Sequence, residues 1–198
     1  KALTESNAGP STSGTLTLAD ADAIDATVTA QTNTSGTYGQ FSIGTNGAWS
    51  YTTNDAVNQL NASQVVTETF TVATSDGGSA TVTVNITGTN DVATLTSDTK
   101  ALTETDAVLT TSGTLTLADL DTTDATVTAQ TDTAGTYGKF SIDANGAWSY
   151  TTNDAVNQLN AGQVVTEVFT VATSDGGTAS VTVNITGTND VATLTSDT

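Results

Sequence analysis

No cysteine, histidine or methionine occurs among the 198 residues, proline occurs once, and only three lysines stand against 21 acidic residues. Without cysteine no disulfide framework can hold the fold. Without histidine or cysteine, and with no Gly-x-Ser-x-Gly elbow, the usual catalytic bases and nucleophile settings are missing, so the chain is expected not to be an enzyme. A net charge of −18 argues against nucleic acid, whose phosphates require Lys and Arg. No run of about 18 apolar residues is present, and the first residues carry no basic segment followed by an apolar one. The expectation is a chain with no direct membrane contact and no address of its own.

What is present is β-rich and repeated. Thr, Ala, Val, Gly and Ser dominate. Shifted by 99 residues the sequence matches itself from Lys1/Lys100 to Thr99/Thr198 with 17 mismatches. A period of about 100 residues is the size of one small β domain, not of a solenoid coil. The expected domains are 1–91 and 92–190, with 191–198 as the start of a further repeat's first strand. The seam Gly88-Thr-Asn-Asp-Val-Ala-Thr-Leu95 recurs at Gly187 to Leu194. It is too short and too rich in Asn and Asp to be a flexible linker.

Period-two alternation predicts the strands. In the first repeat Leu16 and Leu18 face inward on one strand, Val28 and Ala30 on the next, then Phe41 and Ile43. Gly44-Thr-Asn-Gly47 turns the chain into Ala48–Thr53, with Trp49 and Tyr51 inward, because Asn-Gly between alternating runs signals a hairpin. A polar crossing from Asn54 to Gln64, with room for one helical turn, precedes Val66, Phe70 and Val72. Asp76-Gly-Gly78 turns into Val82, Val84 and Ile86. Adding 93–104 ahead of the second copy gives seven strands, the count of an immunoglobulin-like sandwich. The fold class is therefore all-β: two tandem sandwich domains. Seven antiparallel strands, each reversing direction, leave the termini of a domain at opposite ends, so the copies are expected to run head to tail as a rod. Glu68 shares the inward parity of Phe70, and a bulge or a place at the rim of the core is expected there rather than a buried charge.

The same strand order sorts oxygen-bearing residues by end. The run Asp20, Asp22, Asp25 recurs as Asp119, Asp121, Asp124. Glu5 and Glu104 close the first strands, and Asn90-Asp91 and Asn189-Asp190 close the repeats. Carboxylates and amide oxygens gathered at a domain end suit Ca²⁺, which takes six to eight oxygen ligands. The pattern is not an EF-hand loop, since Gln31 or Gln130 stands where the closing Glu would be. Asp76 and Asp175, each before Gly-Gly, read as turn formers.

The closing Thr-Gly-Thr-Asn-Asp, the Tyr-Gly-x-Phe-Ser-Ile…Asn-Gly-Ala-Trp-Ser-Tyr hairpin and the Thr-Glu-x-Phe-Thr-Val…Ser-Asp-Gly-Gly run resemble VCBS-type, cadherin-like repeats of bacterial surface adhesins of the repeats-in-toxin class. The resemblance covers both copies. It implies calcium-stiffened extender domains, extracellular and at the bacterial surface, whose partners are neighbouring repeats and which hold a distal binding domain away from the cell. The seam also resembles the Asp-x-Asn-Asp-Asn linker of cadherins, matched by Asn90 and Asp91, but Gly88-Thr89 replaces the preceding acid. A competing reading takes the outward Thr pairs (Thr15 and Thr17, Thr27 and Thr29, Thr81 and Thr83) as a flat surface for glycan or ice. Tyr38 and Tyr137 are then the aromatics left to face outward. Finally, 191–198 repeats the start of the second copy's first strand, which Lys1 lacks, so weak end-to-end self-association through 191–198 is expected.

Overall fold

The computed structural model describes residues 1–21, 26–121, 125–192 and 194. The chain divides into two compact bodies, Lys1–Asp91 with Leu120–Asp124, and Val92–Asp119 with Ala125–Thr198.

In the first body the strands are β1 (Ala2–Thr4), β2 (Ser11–Thr15), β3 (Gln31–Ser35), β4 (Gly39–Ile43), β5 (Ala48–Thr53), β6 (Val65–Ala73) and β7 (Ser79–Thr87). They form a three-stranded sheet ordered β1-β7-β6 and a four-stranded sheet ordered β2-β5-β4-β3. The two inner faces meet in one core. Alternation places Trp49, Tyr51 and Thr53 inward on β5, and Phe70 and Val72 inward on β6. Phe41 and Phe70 stack across the sheets with centroids 4.7 Å apart. Val57 and Leu60, from the crossing that reads as polar, are also buried there. A 3-10 turn at Asp55–Gln59, capped by the Asn54 side chain accepting from Ala56 N, aims Val57 inward.

The second body repeats this plan with β8 (Thr94–Leu95), β9 (Asp98–Thr103), β10 (Thr110–Thr114), β11 (Leu117–Ala118), β12 (Gln130–Ala134), β13 (Gly138–Ile142), β14 (Ala147–Thr152), β15 (Val164–Ala172) and β16 (Thr178–Thr186). Its sheets are β15-β16-β9 and β10-β14-β13-β12, with β8 and β11 as a separate antiparallel pair.

Four strand-level readings are corrected. The pairing is not wholly antiparallel: β1 runs parallel to β7, and β9 parallel to β16. An odd strand count makes the first and seventh strands run the same way, so they pair in parallel when they become neighbours. Val28 and Ala30 do not lie on a strand; Val28 makes one isolated bridge to Thr74 and the strand begins at Gln31. Leu18 lies beyond β2 and is 39% exposed. Glu68 is neither bulged nor at a rim. It pairs in unbroken register with Val84 and is buried, because its carboxylate accepts from the Tyr51 hydroxyl and from Tyr38 N at 3.0 Å. Tyr38 and Tyr137 pack against the cores half-buried rather than facing out.

The Gly44–Gly47 turn requires its second glycine. Gly47 has φ +80° and a Cβ there would lie 2.2 Å from the Leu16 carbonyl oxygen. Gly47→Ala should therefore destabilise the first body by about 2 kcal/mol or more, read as a fall in the denaturation midpoint. Gly44→Ala, with nothing closer than the Asn46 side chain at 3.0 Å, should cost much less.

Candidate metal centre

The end of the second body where β9 and β16 run out together gathers three carboxylates. Parallel pairing aligns Thr103 with Thr186, so the residues following both strands emerge side by side. Ligand oxygens of Glu104, Asp106 and Asp190 lie within 4.8 Å of one another. Glu104 is fully buried. Its Oε2 accepts from Thr188 N at 2.9 Å and Thr188 Oγ1 at 3.0 Å, which fixes the carboxylate. Its Oε1 is buried and accepts from no described residue. A buried carboxylate oxygen without a donor is costly, on the order of 1–3 kcal/mol or more, unless something outside the polypeptide satisfies it.

The first body carries the same frame 99 residues earlier. Glu5, also buried, accepts at Oε2 from Thr89 N (2.9 Å) and Thr89 Oγ1 (2.7 Å), and its Oε1 is likewise buried without a described donor. Asn7 stands where the second body has Asp106, and its Nδ2 donates to Asp91 Oδ1 at 3.0 Å. Asp91 N donates to Oδ2 of Asp121 at 2.8 Å within that body, and Asp91 Oδ2 is buried with no described donor. Asp121 is itself buried.

The sequence-predicted residues thus separate. Glu104 with Asp190, and Asp91 with Asp121, are brought together, while Glu5 is held by Thr89. Asn90 and Asn189 stand exposed beside them, and Asn189 Nδ2 donates to the Asp190 carbonyl. Asp119 is half-buried in the second body and Asp20 is exposed. Asp22, Asp25 and Asp124 lie outside the described residues. Asp76 and Asp175 form turns, accepting from Thr74 and Thr173 hydroxyls. Those hydroxyl hydrogen bonds hold both carboxyls below the usual range.

Sequence reading missed Asp106, Asn7 and the two threonines. The signal was available in the spacing Glu-x-Asp at 104–106, but only the fold brings Thr188 and Asp190 to it.

Asp190 is pushed above its ordinary carboxyl range, chiefly by a shared hydrogen bond with Asp106, with desolvation and the charges of Glu104 and Asp106 adding. The metal-free fold therefore holds this proton more tightly than the unfolded chain does. Its contribution is present at acidic pH and is lost as pH rises through the folded-state value. In chelator, as pH rises past the ordinary carboxyl range, the metal-free chain should lose stability relative to Asp190→Asn. Calcium requires the ionised carboxylates, so its affinity should fall over the same range on acidification.

These two sandwiches, each ending in a frame of acidic residues beside parallel first and last strands, define a tandem immunoglobulin-like protein. Residues 90–188 match the family model described as bacterial cadherin-like domain, and residues 2–87 match the one described as bacterial Ig domain. The chain belongs to the bacterial cadherin-like domain family. Among curated proteins no match is found. Similar solved structures include Drosophila N-cadherin EC1-3 (16% identity, TM-score 0.39, covering 96% of this chain and 64% of that one). Mouse Cadherin-23 EC22-24 is 14% identical, with a TM-score of 0.40 and coverage of 82% and 52%. The human Desmocollin-1 ectodomain is 14% identical, with a TM-score of 0.38 and coverage of 96% and 41%. The chain thus spans about half to two thirds of the length of these structures or less. No helix among the described residues is long and apolar enough to cross a membrane.

Proposed function

We propose that the chain is a structural extender of a large bacterial surface adhesin of the repeats-in-toxin class, extracellular and non-enzymatic. Calcium held at the ends of the repeats stiffens the array and keeps a distal binding domain away from the cell. The observation that carries this reading is the Glu104, Asp106, Asp190 cluster, built around a buried Glu104 oxygen that no described residue satisfies.

The donor set fits the ion. It is all oxygen and contains neither nitrogen nor sulfur ligands, which suits a hard cation rather than zinc or copper. Three carboxylates provide up to six oxygens and offset the ion's charge. Glu104, Asp106 and Asp190 would hold calcium in the second body. In the first, Glu5 and Asp91 would do so with Asp121. Bound calcium supplies positive charge that neutralises the mutual repulsion of these groups. A chain of net charge −18 has little other means of doing so, since it carries only three lysines.

Small-angle scattering tests the stiffening. Chelating calcium from the 198-residue chain should shorten its maximum dimension and broaden its distance distribution. Superimposable profiles with calcium and with chelator would contradict the extender mechanism.

A further inference from the structure

β15 borders its sheet, with β16 as its one strand neighbour, and part of its outer edge is open. Gly187 N donates to the Gln163 carbonyl at 2.8 Å, which fixes the phase of the ladder. Val165, Glu167, Phe169 and Val171 therefore turn their main-chain groups toward β16, while Val164, Thr166, Val168, Thr170 and Ala172 turn theirs outward. Toward Ala172 the edge is occupied: Gln130 Nε2 donates to the Thr170 carbonyl and Thr128 N to the Ala172 carbonyl, both at 2.8 Å. Among the described residues, nothing pairs with the outward main-chain groups of Val164, Thr166 and Val168. Beside Thr166 to Thr170 runs an open groove of about 510 Å³, bounded on its other side by Gln130, Thr133 and Ala134 of β12.

This stretch carries none of the usual guards of an edge strand. β15 pairs with β16 in unbroken register from Val164 with Thr186 to Ala172 with Thr178, so no bulge twists it away. It contains no proline or lysine, and its one charged residue, Glu167, is buried. Val164 and Val168 are instead 59% and 61% exposed, on the same face as Thr166. In a chain of net charge −18, an uncharged edge lets two copies approach without setting acid against acid.

The open positions, Val-x-Thr-x-Val from 164 to 168, read the same in both directions. An antiparallel strand of the same sequence, related by a twofold axis at Thr166, therefore sets Val164 opposite Val168 of the second copy, Thr166 opposite Thr166, and Val168 opposite Val164. All three residues turn N–H and C=O outward, so each pair exchanges both main-chain hydrogen bonds, and both exposed valines gain an apolar neighbour. The first body offers less. Thr69 stands there at the position of Val168, so the same pairing would set Val65 against a threonine.

We propose that the outer edge of β15 from Val164 to Val168 is a self-association surface whose occupant is the same strand of a second copy, paired antiparallel about a twofold axis. The two sheets join edge to edge into one. The contact is small, which makes it a weak and transient one. It uses no residue of the acidic cluster and goes beyond the extender reading, because it joins separate molecules side by side.

Sedimentation velocity over a concentration series tests this in chelator, where calcium contributes nothing, and in about 0.5 M salt, which screens the repulsion between acidic chains. The apparent mass of the 198-residue chain should rise from monomer toward dimer. Val168→Thr installs the residue with which the first body already folds, and should lower the association constant roughly tenfold because both valine pairs are lost. Thr69→Val should create a second surface and carry the chain beyond the dimer. A nitroxide on Thr166→Cys, in a chain with no other cysteine, should show dipolar broadening that dilution removes. A chain that stays monomeric up to millimolar concentration, or association that Val168→Thr leaves unchanged, would overturn the proposal. Circular dichroism melts matching the native chain keep a misfolded variant from being read as support.

Discussion

Calcium at about 10 mM should stabilise the second body by roughly 1.4 to 2.7 kcal/mol, the mass-action gain for a site of Kd about 10⁻³ to 10⁻⁴ M present only in the native state. Glu104→Gln should erase that gain. The substitution keeps an oxygen for Thr188 N and Oγ1, which anchor Glu104 Oε2 in the native chain. It replaces the unsatisfied Oε1 with an amide that can donate to Asp106 or Asp190, both close enough for their oxygens to fall within the same 4.8 Å cluster. The effect should therefore change sign with the ion. In chelator the variant should be at least as stable as the native chain, since one of three crowded charges is gone. In calcium it should be less stable, since the site has lost its buried ligand. Thermal melts of the two chains under both conditions give the comparison. A variant that loses stability equally in calcium and in chelator would make Glu104 a structural residue alone.

The second large effect lies in the cores. Glu167 on β15 accepts from the Tyr150 hydroxyl on β14 and from Tyr137 N at 3.0 Å, so it joins the two sheets of the second body through polar contacts inside an otherwise apolar layer. Burial, followed by the hydrogen bond to Glu167 and its charge, raises the Tyr150 hydroxyl far above the ordinary phenol range, so the proton stays on the tyrosine. Glu167→Ala strands both donors and opens a cavity, and should cost about 3 to 4 kcal/mol. Tyr150→Phe removes one hydrogen bond to a carboxylate that keeps Tyr137 N, and should cost about 2 kcal/mol. The combined variant should cost less than the sum, by an interaction energy of about 1 kcal/mol or more. Strict additivity in denaturant unfolding would show that the two side chains do not act together.

The parts of this fold that local chemistry decides were legible. Asn46-Gly47 between alternating runs gives the hairpin, and that alternation carries Trp49 and Tyr51 inward as observed. The 99-residue period announced the two copies. What alternation could not supply was the partner across the sandwich. At Glu68 the pattern pointed inward and the charge pointed outward. The carboxylate is satisfied because the Tyr51 hydroxyl, 17 residues earlier and on the opposite sheet, and Tyr38 N both donate to it. Val57 and Leu60 escaped for a related reason: a 3-10 turn has neither the period of a strand nor that of an α-helix.

The acidic cluster divides in the same way. Glu104 and Asp190 are visible as acids at the ends of their strand and repeat. Asp106 was passed over although it stands two residues after Glu104, because only the parallel pairing of β9 with β16 carries the two chain ends together. Asn7 in the equivalent place shows that the two copies are not equal: the first body offers an amide donating to Asp91 where the second has a third carboxylate. The second body should on this account bind calcium more tightly than any site confined to Glu5 and Asp91.

Calorimetric titration of calcium into the metal-free chain at neutral pH tests the central claim most directly. A saturable isotherm with a dissociation constant of about 10⁻⁴ to 10⁻³ M, and the disappearance of one class of sites in Glu104→Gln, is the result expected for a weak calcium site of this kind. No saturable heat up to about 10 mM calcium, tenfold above the weaker end of that range, or an isotherm that Glu104→Gln leaves unchanged, would contradict it.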